Sequence, residues 1–261
     1  HHIETLVYIS QKYNEAGQQR QSREIFFDIM QLTNEIGNEQ HLVSTWGVIL
    51  QSYDEMGQND SIIDNALSVA RGMGENASYY RDEMINRVAI AYASRQSYDR
   101  MSDAFEEIDD LPLRVATIAE SAMISDNNGD DQRADDLFAR AIDLSEQIPD
   151  GVFKERTLRD LGVFVANAYR FDTIDMVMRK LRSSAARARL ASHAAHKALD
   201  TNDKEVFARY LKRSVQELDA IDDQAAQAES LFAIAELHNR SGMTPDEDTN
   251  VTVSKILYGL E

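Results

Sequence analysis

The stretch from Met176 to Leu199 contains no aspartate or glutamate, yet it carries Arg179, Lys180, Arg182, Arg187, Arg189 and Lys197 together with His193 and His196. The chain as a whole has a formal charge of -18, from 45 acidic against 27 basic residues, so this local reversal of sign needs a reason. Arginine offers a planar fork of N–H donors that fits carboxylate and phosphate bidentately. Arg179, Lys180, Arg182 and Arg187 therefore read in one of two ways. They form a docking patch for an acidic or phosphorylated segment, or a solvated face paired with acidic neighbours. No aromatic interleaving or recognition motif accompanies them, and the net charge disfavours phosphate-backbone binding, so nucleic acid is not an expected partner.

Other candidate chemistry is thinner. His193 and His196 are three residues apart and share a helix face, but no acid with metal-ligand spacing lies near them and H-E-x-x-H is absent. Asp109, Asp110, Asp130, Asp131, Asp135 and Asp136 form acidic clusters, yet Asp126 to Asp131 lacks the ligand ladder of a calcium loop, which leaves helix capping as their reading. With 0 cysteines the chain has no thiolate ligand, cysteine nucleophile or disulfide. No phosphate loop, nucleophile elbow or Ser/His/Asp constellation stands out. No catalytic residue, metal or cofactor is expected, and the chain reads as a non-enzyme.

These residues must be positioned by helices. Apolar residues recur at offsets of three and four in short amphipathic segments that come in pairs around tight turns. Leu6, Ile9 and Tyr13 precede a turn at Gly17, then Phe26 and Ile29 follow; Ile85, Val88, Ala89 and Tyr92 precede Met101, Phe105 and Ile108. The sixth pair is alanine-rich, with Ala191, Ala194, Ala195 and Ala198. Seven such pairs are expected, at residues 3–38, 41–75, 77–110, 112–149, 152–184, 186–221 and 224–258, the last serving as a cap. Small residues at Ser10, Ala89, Ala122, Ala195 and Ala235 share one register, which predicts close approach within each pair. Pro112, Pro149 and Pro245 lie outside the expected helix interiors. Thr244, Pro245 and Glu247 read as N-cap, first-turn proline and reciprocal acid of a final helix.

Trp46, Ile49, Tyr53 and Gly57, with Ala134, Phe138 and Ala141 further on, follow the spacing of the thirty-four-residue tetratricopeptide repeat, except that Leu50 stands where that pattern has a small residue. The chain resembles a tetratricopeptide (TPR) protein over almost its whole length. The resemblance implies an all-α, right-handed superhelical solenoid of about seven antiparallel helix-turn-helix repeats. The loose turn spacing keeps a bespoke helical solenoid as the alternative. In such a fold the first helix of each pair lines a concave groove. Its candidate contacts are Gln11, Asn14, Gln51, Asp54, Glu55, Glu83, Asn86, Ile90 and Met123 towards one end. Towards the other they are Arg159, Tyr169, Arg170, Arg189, Ser192, His196, Glu229, Phe232, Glu236 and Arg240. Val7, Gln11, Gln51 and Glu83 stand where one subclass of the family carries its carboxylate clamp, so that clamp is missing. His238 falls in the register of Tyr13, Tyr53 and Tyr92. Gly47 and Gly162 share a register that either opens room for a ligand backbone or permits close helix packing.

The implied function is a non-enzymatic scaffold that binds a protein or peptide in the groove. The alternative is a sensory solenoid that takes a small peptide or metabolite there. A homo-oligomer is compatible with either. Hydrophobic content of 43% supports a continuous core, and the longest apolar run falls far short of a bilayer span, so no membrane insertion is expected. The chain opens on His1 and His2 with no basic, apolar leader, which reads as a trimmed or tagged start, and the cytoplasm is the expected location. Aspartate outnumbers glutamate and arginine outnumbers lysine. This acidity reads as adaptation to high salt or as an ordinary acidic surface.

Overall fold

Apolar residues spaced at three and four bury only when helices pack side by side, and that is how the chain is built. The computed structural model describes residues 2–55 and 60–259, and among them are fourteen α-helices and no strand. Backbone contacts group the chain into two units, His1–Ser125 and Asp126–Glu261. The first holds α1 (His2–Glu15), α2 (Gln19–Thr33), α3 (Glu39–Glu55), α4 (Ser61–Arg71), α5 (Ser78–Ser94), α6 (Tyr98–Glu106) and all but the end of α7 (Leu111–Asn127). The second holds α8 (Asp131–Ser145), α9 (Val152–Asn167), α10 (Phe171–Lys180), α11 (Ser184–Asp200), α12 (Lys204–Leu218), α13 (Gln224–Ser241) and α14 (Glu247–Gly259). Within each unit the principal contacts join helices one or two apart in sequence. In the first, α1 meets α2 and α3, and α5 meets α3, α4 and α6. In the second, α9 meets α8, α10 and α11, while α11 meets α12 and α13.

Odd- and even-numbered helices differ in how they are buried. In α12 one stripe is buried, Phe207, Tyr210, Leu211, Ser214, Val215 and Leu218, at the spacing of a single face. In α5 burial extends over Asp82, Met84, Ile85, Val88, Ala89, Ala91, Tyr92 and Ala93. The odd-numbered helices were expected to be one-sided; α5 and α11 are instead covered on more than one face, because α5 packs on α3, α4 and α6, and α11 on α9, α10, α12 and α13. Removing a large aliphatic or aromatic side chain from water contributes about 1.5–3 kcal/mol, so Trp46, Ile49, Phe105, Phe138 and Phe207, all inaccessible, anchor the two cores. Ser10, Ala89, Ala122 and Ala195 are buried in the expected small-residue register. Ala235 is exposed, since α13 packs on α11 and α12 and this position lies off both contacts. Tyr13 is likewise exposed, whereas Tyr92 is covered and its hydroxyl donates to Asp64 of α4 at 2.5 Å. The side chain of Tyr53, those of Asp54 and Glu55, and Gly57 lie outside the described residues.

Turns inside the pairs repeat one hydrogen-bond pattern. After α1 the N–H of Gly17 donates to Asn14 and that of Gln18 to Tyr13; after α5, α9 and α11 the pairs are Gln96 to Ala93 with Ser97 to Tyr92, Tyr169 to Ala166 with Arg170 to Val165, and Asn202 to Leu199 with Asp203 to Ala198. These are Schellman closures, which place one residue in the left-handed region. That residue is Gly17 at φ 74°, but Gln96, Tyr169 and Asn202 do the same at 57°, 56° and 55°. Glycine-based reading therefore detects the first turn and overlooks the other three.

Connections between pairs are closed by side chains. Asp110 accepts the Leu113 N–H at 2.8 Å, and four residues later Arg114 donates through Nε to the Ile108 carbonyl at 2.7 Å. Ser183 caps Ala186 while Arg187 donates to the Leu181 and Arg182 carbonyls, each at 2.9 Å. Asp223 caps Ala226 at 2.7 Å and Gln227 donates to the Leu218 carbonyl at 3.0 Å. The preceding odd-numbered helix holds the loop from the other side. Buried Asp82 accepts the N–H groups of Asp109 and Asp110 at 3.0 and 2.9 Å, and Glu155 accepts those of Arg182 and Ser183 at 2.8 and 3.3 Å. For the final helix the cap is Asp246, which accepts the Thr249 N–H at 2.8 Å. Thr244 is displaced from that expected role because α14 begins at Glu247 rather than Pro245.

Asp82→Ala leaves two loop N–H groups without their acceptor, and a hydrogen bond to a charged group contributes about 1.5–3 kcal/mol. We expect this substitution to lower unfolding free energy by about 3 kcal/mol, with Asp82→Asn losing less because it keeps an acceptor oxygen. Urea denaturation checks this, and a loss below about 1 kcal/mol contradicts the assigned role.

Candidate functional site

Of the groove candidates towards the second half, Arg189, Ser192, His196 and Glu236 line one cleft of about 240 Å³ between α11 and α13, joined by His193, Ser230, Ala233 and Leu237. Its polar groups are largely engaged with the protein itself. Arg189 pairs with Glu229, and Arg240 Nη1 reaches the His196 ring at 2.7 Å from Nε2. Ser192 is buried, its hydroxyl 2.7 Å from that of Ser214 on α12, so it serves helix packing rather than the groove. The same arrangement joins Ser10 and Ser22 in the first unit, at 3.0 Å. His193 lies 3.2 Å from the Asn167 side-chain oxygen, and burial, aided by Lys197 and His196, pushes its pKa down. Phe232 is 73% exposed on α13.

Tyr169 and Arg170 are not on a helix face. Helix α9 ends at Asn167, and both residues belong to the turn that follows, because Tyr169 takes the left-handed position. Arg170 pairs there with Asp126, with Asp131 at 2.7 Å and with Asp135 at 3.4 Å, which occupies its guanidinium in tying helix ends together. Arg159 pairs with its neighbour Asp160 at 2.8 Å. His238, half-buried at the end of α13, meets the Met243 carbonyl through Nδ1 at 3.1 Å.

The acid-free stretch is not a set of free cations. Lys180 pairs with Glu146 and Arg182 with Asp150, each at 2.5 Å, and Arg187 pairs with Glu217 at 2.7 Å besides closing the loop before α11. Arg179 is exposed and makes no ion pair among the described residues. The acids missing from this segment are supplied by α12 and by the connection between α8 and α9. Reversing Arg187 would therefore disturb the fold, and it is a poor probe of binding.

The two register-matched glycines are filled by side chains of the next odd-numbered helix. A Cβ on Gly162 would come within 2.4 Å of the Leu190 Cδ2, whereas one on Gly47 would meet Arg87 Nη1 at 2.6 Å. Gly162 thus admits core packing, while Gly47 lets a guanidinium lie on the backbone of α3. That guanidinium sits in a cleft of about 510 Å³ on α3, α5 and α7, lined also by Leu50, Gln51, Glu83, Asn86, Ile90, Ala91, Ser94 and Glu120. Gln51, Glu83, Asn86 and Ile90 were expected there; Arg87, Ser94 and Glu120 were not. The signal was in the register, since Arg87 and Glu120 stand two residues after the first core positions Ile85 and Ile118 of their helices.

This cleft differs from the others in what its polar groups do. Neither Arg87, Glu83 nor Glu120 makes an ion pair among the described residues, and Gln51 and Ser94 make no side-chain hydrogen bond. The Asn86 side-chain oxygen is buried without a partner, a cost of about 1–3 kcal/mol in proteins generally. Burial pushes the Glu120 carboxyl up from its ordinary range, with Arg87 pulling it down less strongly. Among the described residues no group of three or more His, Asp or Glu could hold a metal ion, and no helix is long and apolar enough to cross a membrane.

Fold and site define an all-α protein of neighbouring packed helices with polar clefts on its odd-numbered helices. No protein-family model matches the chain, and no curated protein matches it. Among solved structures, the crystal structure of Ton1535 from Thermococcus onnurineus NA1 is similar over 97% of this chain and 95% of that one, at 14% sequence identity and a TM-score of 0.41.

Two substitution tests follow. Gly162→Ala should destabilise by about 1–2 kcal/mol through overpacking against Leu190. Gly47→Ala should be neutral or stabilising by up to about 1 kcal/mol, since alanine favours the helix and only the mobile Arg87 tip must move. Chemical denaturation compares them, and equal effects would be evidence against the difference in filling. Glu120 binds its proton more tightly folded than unfolded. Its protonated form thus contributes stability below the ordinary carboxylate range, and that contribution is lost as pH rises through the raised value. Glu120→Gln should flatten this fall and raise the melting temperature at pH 7; an unchanged pH profile would count against it.

Proposed function

We propose that the protein is a TPR-like α-solenoid that acts as a non-enzymatic binding scaffold for protein or peptide partners, using the free faces of its odd-numbered helices. The observation that carries this reading is the cleft on α3, α5 and α7, where among the described residues Arg87, Glu83 and Glu120 make no ion pair and the Asn86 side-chain oxygen is buried without a partner. Groups held unsatisfied in a concave site are what an incoming ligand can satisfy. The cleft on α11 and α13, with Phe232 and Glu236 exposed beside it, supplies a second contact surface in the other unit. Acidic or phosphorylated segments remain candidate partners through Arg87 and Arg179, which make no ion pair among the described residues, rather than through Lys180, Arg182 or Arg187, which are occupied.

A second reading has its own support. A volume of about 510 Å³ falls within the range of small-molecule sites, so a small peptide or metabolite filling the α3–α5–α7 cleft accords with a sensory role.

Fluorescence polarisation with a random peptide library tests the scaffold reading. We expect captured peptides to lose about tenfold or more in affinity, roughly 1.4 kcal/mol, with Gln51→Ala combined with Glu83→Ala or with Arg240→Ala, and to be unaffected by Gln19→Ala on α2. No capture at any salt concentration, or capture indifferent to both odd-helix variants, would overturn it.

A further inference from the structure

Each polar cleft on these helices can be asked whether its charges already satisfy one another. On α11 and α13 the Arg189 charge is met by Glu229, and Arg240 donates a hydrogen bond to the His196 ring. Near the α8–α9 connection the charges do satisfy one another, through Glu146, Asp150 and Glu155 with Lys154, Lys180 and the Arg182 backbone. On α3, α5 and α7 they do not. Glu83, Asn86 and Arg87 lie on one face of α5, with Gln51 on α3 and Glu120 on α7 lining the same cleft. Among the described residues a cation and two acids share it without forming an ion pair, Arg87 acting on Glu120 only through its charge, so each retains its capacity for an external partner.

We propose that this cleft binds a small zwitterion, a free α-amino acid or a short peptide with both ends free, with the ligand carboxylate on Arg87 and its ammonium against Glu83 and Glu120. The proposal rests on the reading that the free face of the odd-numbered helices is the binding surface. Both signs of charge are present and no ion pair joins them among the described residues, so a ligand of one sign would leave the opposite group without a partner. A zwitterion satisfies both. Gly47 is part of the design, because without a Cβ there the Arg87 guanidinium can approach α3 closely within the cleft. The Asn86 amide, whose oxygen has no partner among the described residues, can turn outward and accept an N–H from the ligand. Buried Leu50 and half-buried Ile90 leave apolar wall for a ligand side chain. No bond is made or broken, and the site is one of recognition.

Isothermal titration calorimetry and thermal-shift measurements on the full chain test this, using the twenty common α-amino acids and simple dipeptides at up to about 5 mM, where millimolar affinity still registers. At least one member should bind saturably and raise the melting temperature, and its N-acetylated and amidated analogues should each bind at least tenfold more weakly. Free amino acids and dipeptides as separate arms tell which is preferred. Arg87→Met should weaken binding tenfold or more, and Gly47→Ala should weaken it several-fold while leaving the unliganded protein as stable as before. The Gly47 variant keeps the test interpretable if the Arg87 variant folds poorly. Failure of the whole panel to bind overturns the proposal, as does binding equally tight for blocked analogues or for folded Arg87→Met. Capture of longer library peptides with no binding by the free panel removes this inference while leaving the scaffold reading intact.

Discussion

The connection between one helix pair and the next depends on a small set of polar side chains that occupy loop backbone groups. A cap at the first turn, a donor four residues later and an acid on the preceding odd-numbered helix together fix where each new helix starts and how it leaves the last. Asp110, Arg114 and Asp82 do this in the first unit, and Ser183, Arg187 and Glu155 do it in the second. Helix ends leave N–H and C=O groups without intrahelical partners. Where such ends are half-buried between neighbours, water cannot meet that need, so side chains must. The apolar stripes then have fixed neighbours to pack on.

That arrangement explains the distribution of charge better than a binding patch does. Lys180, Arg182 and Arg187 find Glu146, Asp150 and Glu217 across the packed helices, and Arg170 gathers three aspartates at a turn. Second-helix surfaces are also linked, as Arg100 meets Asp64 and Arg213 meets Asp175. The more exposed of these pairs, such as Arg182 with Asp150, are worth little individually, typically under about 1 kcal/mol. Their effect lies in register. They discourage a helix from sliding by a turn, because a slide would set acid against acid in a chain with this excess of carboxylates.

Against that background the α3–α5–α7 cleft is exceptional for holding back. Arg87 lies on a helix backbone instead of on a carboxylate, Glu120 is kept in a partly desolvated place that resists ionisation, and Asn86 leaves an oxygen unsatisfied. Each arrangement costs stability where simple surface substitutions would relieve it. Retained costs gathered in one concavity are the usual physical mark of a site shaped for something else. The cleft on α11 and α13 has closer internal pairing and so less to offer a ligand beyond Phe232 and Glu236.

Much of the helical organisation was legible in the sequence, since a stripe such as Phe207, Tyr210, Leu211, Ser214 and Val215 has one way to be buried. Trp46, Ile49 and Phe138 were identifiable as core for the same reason, and Gly17 marked its turn by being glycine. Tyr169 was misplaced on a helix because a tyrosine in the left-handed region gives no local sign of itself; only the two turn hydrogen bonds reveal it. Local periodicity and turn chemistry thus determined an all-helical chain, because helix formation depends on residues within a turn or two of each other. Which charges are spent and which remain free was decided only by tertiary packing. The partner of Lys180 lies 34 residues away, and the neighbour of Gly47 is a side chain 40 positions on, at distances that no local pattern encodes.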